Sequence, residues 1–195
     1  AETAMRRAKQ EGRNGFQFYA QDMNRTSLGD LLLENQLRGA IERGELELHY
    51  QPKVCAQSGQ LESAEALLRW RHPELGLIAP GRFIPVAEES GLIVVIGEWV
   101  IRETCRQLAA WSEAGLNPVP IAVNLSAQQL CQPELTTQVA QALAKSGVSA
   151  NLLEFELTET MLMRDIDRSL STLGHLREMG DRKSTRLNSS HLVIS

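Results

Sequence analysis

The ten residues from Leu61 to Trp70 restrict the possible folds of this chain more than any other stretch. They follow a Ser58-Gly59 turn, and Pro73 bounds them at the far end, as expected of a β-strand. Side chains alternate across a strand, so Ser63, Glu65, Leu67 and Arg69 share one face and Ala64, Ala66, Leu68 and Trp70 the other. The second face is small and apolar, suited to packing under helices. On the first face, Glu65 and Arg69 lie about 13 Å apart at ~3.3 Å per residue, too far to pair directly. Such a spacing suits a surface that grips both a cation and an anion; equally, it suits one that is simply solvated.

The flanking segments set the fold class. Glu45 to Gln51 alternates, with Leu46, Leu48 and Tyr50 opposite Glu47, His49 and Gln51. A helical region starts near Pro85 and is divided by Gly91. Its second half runs to Ala114, with Val100, Ile101, Cys105, Leu108 and Trp111 as the buried stripe and Gly115 as the stop. Ile121 to Leu125 is a strand, after which Ser126 and Gln129 cap a helix that ends near Gly147. Leu153 to Thr158 is the next strand, followed by a helix carrying Leu162, Ile166, Leu173 and Leu176 on one side and ending at Gly180. This alternation predicts parallel strands joined by crossover helices, an α/β architecture whose functional side chains gather at the carboxyl ends of the strands. Asn124 is placed near one such end, and Glu154, Glu156 and Thr158 share a face beside it.

Composition narrows the function classes. At 195 residues and net charge −4, with acidic and basic residues interspersed, the chain lacks the broad basic surface of a nucleic-acid binder, so no polymeric nucleic acid is expected as a partner. Three cysteines, Cys55, Cys105 and Cys131, without motif spacing fit reduced thiols in a cytosol. The longest apolar run, Leu92 to Ile101, is interrupted by Gly97 and Glu98 and is far short of the ~20 residues a span requires. A cytoplasmic location is therefore expected. The opening, without a signal peptide and reading as mid-helix, fits a piece of a larger protein. His49, His72, His175 and His191 show no ligand spacing and read as structural or solvated.

Four ordered blocks carry a resemblance. They are Tyr50-Gln51-Pro52; Glu65-Ala66-Leu67 continuing through Arg71 to Ile93; Asn124-Leu125-Ser126; and Glu156-Leu157-Thr158-Glu159-Thr160. Together they resemble the EAL family of bacterial cyclic-di-GMP phosphodiesterases. The resemblance implies the N-terminal part of a TIM-type (β/α)8 barrel over residues 27–180. A full barrel takes ~250 residues, so the barrel here is partial. Residues 1–19 resemble the tail of a GGDEF domain, departing from its pattern at Glu2 and Arg6, and residues 20–26 read as a linker. No GGDEF signature is present. Ser27 and Asp30 form the capping-box start of a helix through Arg43, which Gly44 stops.

The resemblance also implies a chemistry. Glu65, Asn124 and Glu156 match the family's metal ligands, and Glu65 and Glu156 its catalytic carboxylates. Oxygen-only donors of this kind suit Mg²⁺ or Mn²⁺. Glu159 matches the glutamate that steadies a nearby loop. Arg69 matches a phosphate-contacting arginine, whose fork donates two hydrogen bonds. Gln51 and Leu67 match positions lining the substrate pocket, and Glu154 reads as a spectator or an internal hydrogen-bond acceptor. The implied reaction is hydrolysis of cyclic-di-GMP to linear pGpG by a water activated between two divalent cations. The alternative within the family is a receptor that binds cyclic-di-GMP without turnover; such receptors usually lose metal ligands, whereas every ligand position within this stretch is filled. Implied partners are cyclic-di-GMP, an upstream GGDEF or sensory domain in the parent protein, and a second copy through an EAL homodimer. The parent is also compatible with a membrane tether.

The likeness stops at Gly180. Where the family continues with an apolar strand and an Asp-Asp pair, residues 181–195 read Asp-Arg-Lys-Ser-Thr-Arg-Leu-Asn-Ser-Ser-His-Leu-Val-Ile-Ser. They resemble a sequencing-adaptor read-through, a non-native tail with no strand and no apolar face. Two expectations follow: the last strand is left with an open edge, and the remaining metal ligands and the catalytic lysine of the family lie outside this sequence, leaving the fragment inactive.

Overall fold

The structure is a computed structural model and describes residues 21–157, 172–176, 178, 185–188 and 191–194. Helix α1 (Gln21–Arg38) leads into the antiparallel strands β1 (Leu46–Val54) and β2 (Leu61–His72), with the short β3 (Gly76–Ile78) pairing back on the end of β2. Helices α2 (Pro80–Ser90) and α3 (Leu92–Glu113) cross over to β4 (Ile121–Asn124). Helices α4 (Ala127–Leu130) and α5 (Leu135–Ser146) and a 3₁₀ turn at Ala150–Leu152 lead to β5 (Leu153–Leu157). The run β2-β4-β5 is parallel, as the alternation of strands and helices predicts. Residues 172–176 are helical, with Leu173 and Leu176 buried.

The apolar face of β2 does what its alternation predicts. Ala64, Ala66 and Trp70 are buried, and Trp70, fully sealed, meets Phe83 of α2 edge-on at 5.7 Å between ring centroids. The indole Nε1 donates to the buried carboxylate of Glu45 at 3.0 Å. The Arg43 guanidinium donates to the same carboxylate, through Nε at 2.5 Å and Nη2 at 3.1 Å, and through Nη2 also to the Gln36 carbonyl on α1. One carboxylate thereby ties α1 and β1 to the signature strand.

Gly91 divides α2 from α3 with φ 77°, a left-handed conformation that closes the first helix and opens the second. Six residues on, Gly97 is where α3 admits the Gln129 side chain of α4: a Cβ there would lie 1.8 Å from Gln129 Nε2. No helix among the described residues is long and apolar enough to cross a membrane.

Five expectations change. Helix α1 already covers residues 21–26, read as a linker, and Ser27 lies inside it rather than capping it. The segment from Gln21 to Thr26 holds no Gly or Pro to stop a helix, so the cap signal at Ser27 does not decide its start. The same helix ends at Arg38 rather than Arg43, because residues 39–44 tighten into successive turns, Ala40 N bonding to Leu37 O and Gly44 N to Ile41 O. Helix α2 begins at Pro80, where a proline fits the first turn, and it accommodates Pro85 within its length. After Ser126 there are two helices, with Pro133 in the break between them. Finally, the tail forms the hairpin β6 (Thr185–Asn188) and β7 (His191–Ile194). Strand β7 pairs antiparallel with β5, Phe155 opposite Ile194 and Leu157 opposite Leu192, so the edge expected to stay open is covered. His191-Leu192-Val193-Ile194 is short but rich in β-branched residues, and β5 offers it unpaired backbone groups. Residues 1–19, read as opening in mid-helix and as a GGDEF-like tail, lie outside the described residues.

Candidate metal and phosphate site

Strand register brings the candidate ligands together. Glu65 of β2 faces Ala122 of β4 in the parallel pairing, which puts Asn124, two residues on, on the same face and one step toward the carboxyl edge. Asn124 is paired with Glu156 of β5. Three adjacent parallel strands thus deliver two carboxylates and one amide to one rim. Asn124 Nδ2 donates to Glu65 Oε1 at 2.7 Å, leaving the amide oxygen for another partner. Glu156 is only 6% exposed, whereas Asn124 is open to solvent.

Local structure fixes this rim. The backbone N of Leu125 donates to the Glu156 carbonyl at 3.1 Å, extending the β4–β5 pairing one residue past Asn124. Ser126 then starts α4 with the expected capping box: Gln129 N donates to Ser126 Oγ at 3.2 Å and Ser126 N to Gln129 Oε1 at 3.0 Å. Asn124 is therefore held between a strand on one side and a capped helix on the other.

Sequence reasoning missed Lys53. Its Nζ donates to Glu156 Oε1 and lies 3.7 Å from Glu65 Oε2. Strands β1 and β5 are three positions apart in the sheet, about 14 Å if it were flat, so these side chains meet across a concave face. The irregular register between Lys53 and Val54 marks where β1 leaves the ladder beside the site. Burial pulls the Lys53 ammonium toward a lower pKa, but the Glu156 hydrogen bond and the charges of Glu156 and Glu65 outweigh it, and the group is held above its ordinary value. The available signal was period two: Lys53 is two residues past Gln51 and so shares its face.

The remaining candidates line the same face. Gln51 is paired across the hairpin with Glu65, Leu67 with His49 and Arg69 with Glu47. Arg69 is half-buried and donates Nη1 to the Leu68 carbonyl at 2.9 Å. Its neighbour Arg71 takes Glu47 with Nε at 3.0 Å and Nη2 at 2.8 Å, and His49 Nε2 meets the same carboxylate at 2.9 Å. Arg71 first, then His49, hold the Glu47 carboxyl below its ordinary value. His72 is buried at the end of β2, where its Nδ1 accepts from the backbone N of Glu74 and Leu75, a structural role. Glu154 is half-buried on the ligand face. Glu159 lies outside the described residues. Cys55, Cys105 and Cys131 are free thiols. Among the described residues no three His, Cys, Asp or Glu side chains converge; the cluster is two carboxylates and an amide.

The EAL domain family matches residues 34–182. The chain is 48% identical over 180 residues to the bifunctional diguanylate cyclase/cyclic di-GMP phosphodiesterase MucR of Pseudomonas aeruginosa, covering 92% of this chain and 26% of that protein. It is 41% identical to the cyclic di-GMP phosphodiesterase PdeR of Escherichia coli, again over 92% of this chain and 27% of the relative. The chain thus spans about a quarter of the length of these curated relatives. Among solved structures, the MucR phosphodiesterase in complex with c-di-GMP superposes with a TM-score of 0.73 at 50% identity, covering 76% of this chain and 60% of that one. The FimX EAL domain of Xanthomonas citri in complex with c-diGMP gives a TM-score of 0.71 at 25% identity, covering 80% and 60%. These neighbours are TIM-barrel EAL domains of which this chain forms a part, so the fold is a partial (β/α)8 barrel. The chain belongs to the EAL domain family.

Proposed function

We propose that this chain is the N-terminal part of a metal-dependent phosphodiesterase that opens cyclic-di-GMP to linear pGpG. The observation that carries this reading is the convergence of Glu65, Asn124 and Glu156 from three adjacent parallel strands onto one rim. The names of the relatives and the c-di-GMP complex of MucR support the substrate.

The donor set fits a divalent cation. Two carboxylates and an amide oxygen are hard donors of the kind Mg²⁺ and Mn²⁺ take, and the cluster already accommodates the positive charge of Lys53. A cation held there supplies Lewis acidity toward water and phosphate. The chain's own residues do the rest. Glu156, buried, fixes the deep side of the site, and Glu65 and Asn124 form the exposed side. Arg69, further along β2, binds the phosphate that the acidic rim does not face, its fork matching two phosphoryl oxygens. Gln51 and Leu67 line the floor between them, and Glu159 takes the role of the family's loop-steadying glutamate.

Residues 1–19 belong to an upstream GGDEF-like module, residues 20–26 link it to the EAL part at residues 27–180, and residues 181–195 are foreign to the barrel. The family match ending at residue 182 supports that boundary. The parent protein works in the cytoplasm under an upstream sensory or GGDEF module, with or without a membrane tether and an EAL homodimer. The ligands supplied by the rest of the barrel lie outside this chain, so the chain alone does not turn over substrate.

The test joins residues 27–180 to the C-terminal half of the MucR EAL domain and measures pGpG release with Mg²⁺ or Mn²⁺. Metal-dependent release supports the proposal. Cyclic-di-GMP binding without release, in a chimera whose other half is competent, gives the receptor reading instead.

A further inference from the structure

We propose that Lys53 is a built-in competitor for the cation position of the Glu65–Asn124–Glu156 cluster, and that it sets how tightly this site takes a divalent ion. The inference rests on the metal-site reading above and adds to it a residue that tunes affinity. Its basis is geometric. The Lys53 ammonium is hydrogen-bonded to Glu156 Oε1 and 3.7 Å from Glu65 Oε2, so it bridges the two carboxylates that are candidate ligands. Glu65 is in turn bonded to Asn124. A cation bridging Glu65 and Glu156 needs the same oxygens and the same space. Two positive centres within about 4 Å repel strongly where water is partly excluded, and the 6% exposure of Glu156 excludes much of it.

The two cations therefore exclude one another, and any ion that binds must displace the ammonium. Displacement is feasible because Lys53 is tethered differently from the ligands. Glu65, Asn124 and Glu156 project from paired positions within the parallel sheet. Lys53 stands at the irregular end of the β1–β2 ladder, and 40% of its side chain is exposed. Its flexible four-carbon stem swings into solvent without breaking a strand pairing. At rest the lysine neutralises the carboxylates, so the cluster does not repel itself apart. The consequence is a site whose divalent affinity is lower than its carboxylates alone would give.

The experiment titrates Mn²⁺ into the 195-residue chain and its Lys53→Met and Lys53→Arg variants, reading free Mn²⁺ by electron paramagnetic resonance and melting temperature by calorimetry. Lys53→Met is expected to bind Mn²⁺ about tenfold or more tightly, the scale expected for removing one competing charge. Lys53→Arg, which keeps the charge, shows no such gain. Without Mn²⁺, Lys53→Met melts below the original chain, because Glu156 loses its partner; saturating Mn²⁺ closes that gap. Equal or weaker Mn²⁺ binding by Lys53→Met overturns the competitor role while leaving the metal site standing. A Lys53→Met chain that stays unfolded even in Mn²⁺ also overturns it, since an ion then cannot replace the lysine. If no form binds Mn²⁺ and Glu65→Ala changes nothing, the metal-site reading itself falls.

Discussion

Two buried carboxylates, Glu45 and Glu156, sit at opposite ends of the same structural problem. Each is taken out of water and each is paired with a cation, yet their surroundings differ. Glu45 accepts three hydrogen bonds from two side chains, the Arg43 fork and the Trp70 indole, and the ring behind it is packed against Phe83. Glu156 has a single lysine on a flexible stem, opening onto a rim that also holds Glu65 and Asn124. A carboxylate that only fastens elements together is saturated by directional, well-anchored donors. One that must exchange partners is held by a long side chain able to leave. The contrast explains why nearly equal burial gives opposite expectations on mutation.

The largest expected effect is on the exchanging side. In a barrel completed with a competent C-terminal half, Glu65→Ala should lower pGpG release at least about 100-fold. Loss of a group merely orienting a metal ligand typically costs 10–100-fold, and Glu65 is proposed as a ligand itself. Its melting temperature should barely move, because Glu65 faces the rim and is only half-buried. Near-normal turnover in the purified variant would remove Glu65 from the site.

On the fastening side the pattern inverts. Glu45→Ala strands the Trp70 Nε1 donor, in a side chain fully removed from solvent, and leaves Arg43 without its carboxylate. The expected cost is about 1–3 kcal/mol of stability, the usual penalty for an unsatisfied buried donor, read by urea unfolding. Cyclic-di-GMP affinity in the completed barrel should stay within about twofold, since Trp70 and Glu65 lie on opposite faces of β2. A variant as stable as the original would mean that the Arg43–Glu45–Trp70 contact ties nothing together.

The same comparison has a pH signature. The Arg43 hydrogen bond, opposed by desolvation and helped by Trp70, lowers the Glu45 pKa from its ordinary value of 4.5. A depressed folded-state pKa means that Glu45 contributes stability above the unfolded value, and that this contribution drains away as pH falls through the folded one. Acid unfolding of the original chain should therefore steepen below about pH 4.5, while Glu45→Gln, which has no proton to take up, shows a shallower slope in that window. Parallel pH profiles for the two proteins would refute the assignment.

How much of this was legible in the sequence depends on whether periodicity or partner choice decides it. The face of β2 that carries Glu65, Leu67 and Arg69, the Gly91 division of the helices and the Ser126–Gln129 capping box all follow from local spacing, and the structure has them where the sequence puts them. The joining of Glu65 to Asn124 required knowing that β2 and β4 are neighbours in parallel register, which the alternation of strands and helices implies. The face of Lys53 was legible from its spacing to Gln51, but its contact with Glu156 was not, because it spans 103 positions in sequence and arises only when the sheet curves. Helix α1 was misplaced since a capping residue marks a favourable start without forbidding an earlier one. The β6–β7 hairpin was missed because residues 181–190 are almost wholly polar, and its pairing is decided by the edge that β5 presents rather than by any pattern of its own.

The smallest effect expected concerns Arg69, and it sharpens the contrast from the anion's side. Unlike Arg43 and Arg71, whose forks are taken up by Glu45 and Glu47, Arg69 spends Nη1 on the adjacent Leu68 carbonyl and is oriented by backbone. A guanidinium so placed has its other donors for a phosphate, and its planar fork meets two oxygens at once. Lysine keeps the charge but offers a point contact, so Arg69→Lys should weaken cyclic-di-GMP binding by about tenfold, the equivalent of ~1.4 kcal/mol. Mn²⁺ affinity should be unchanged, because Arg69 is four residues along β2 from Glu65, about 13 Å away. Calorimetry on the completed barrel separates the two ligands. Unchanged cyclic-di-GMP affinity in Arg69→Lys would mean that this arginine, like Arg43 and Arg71, serves the fold rather than the ligand.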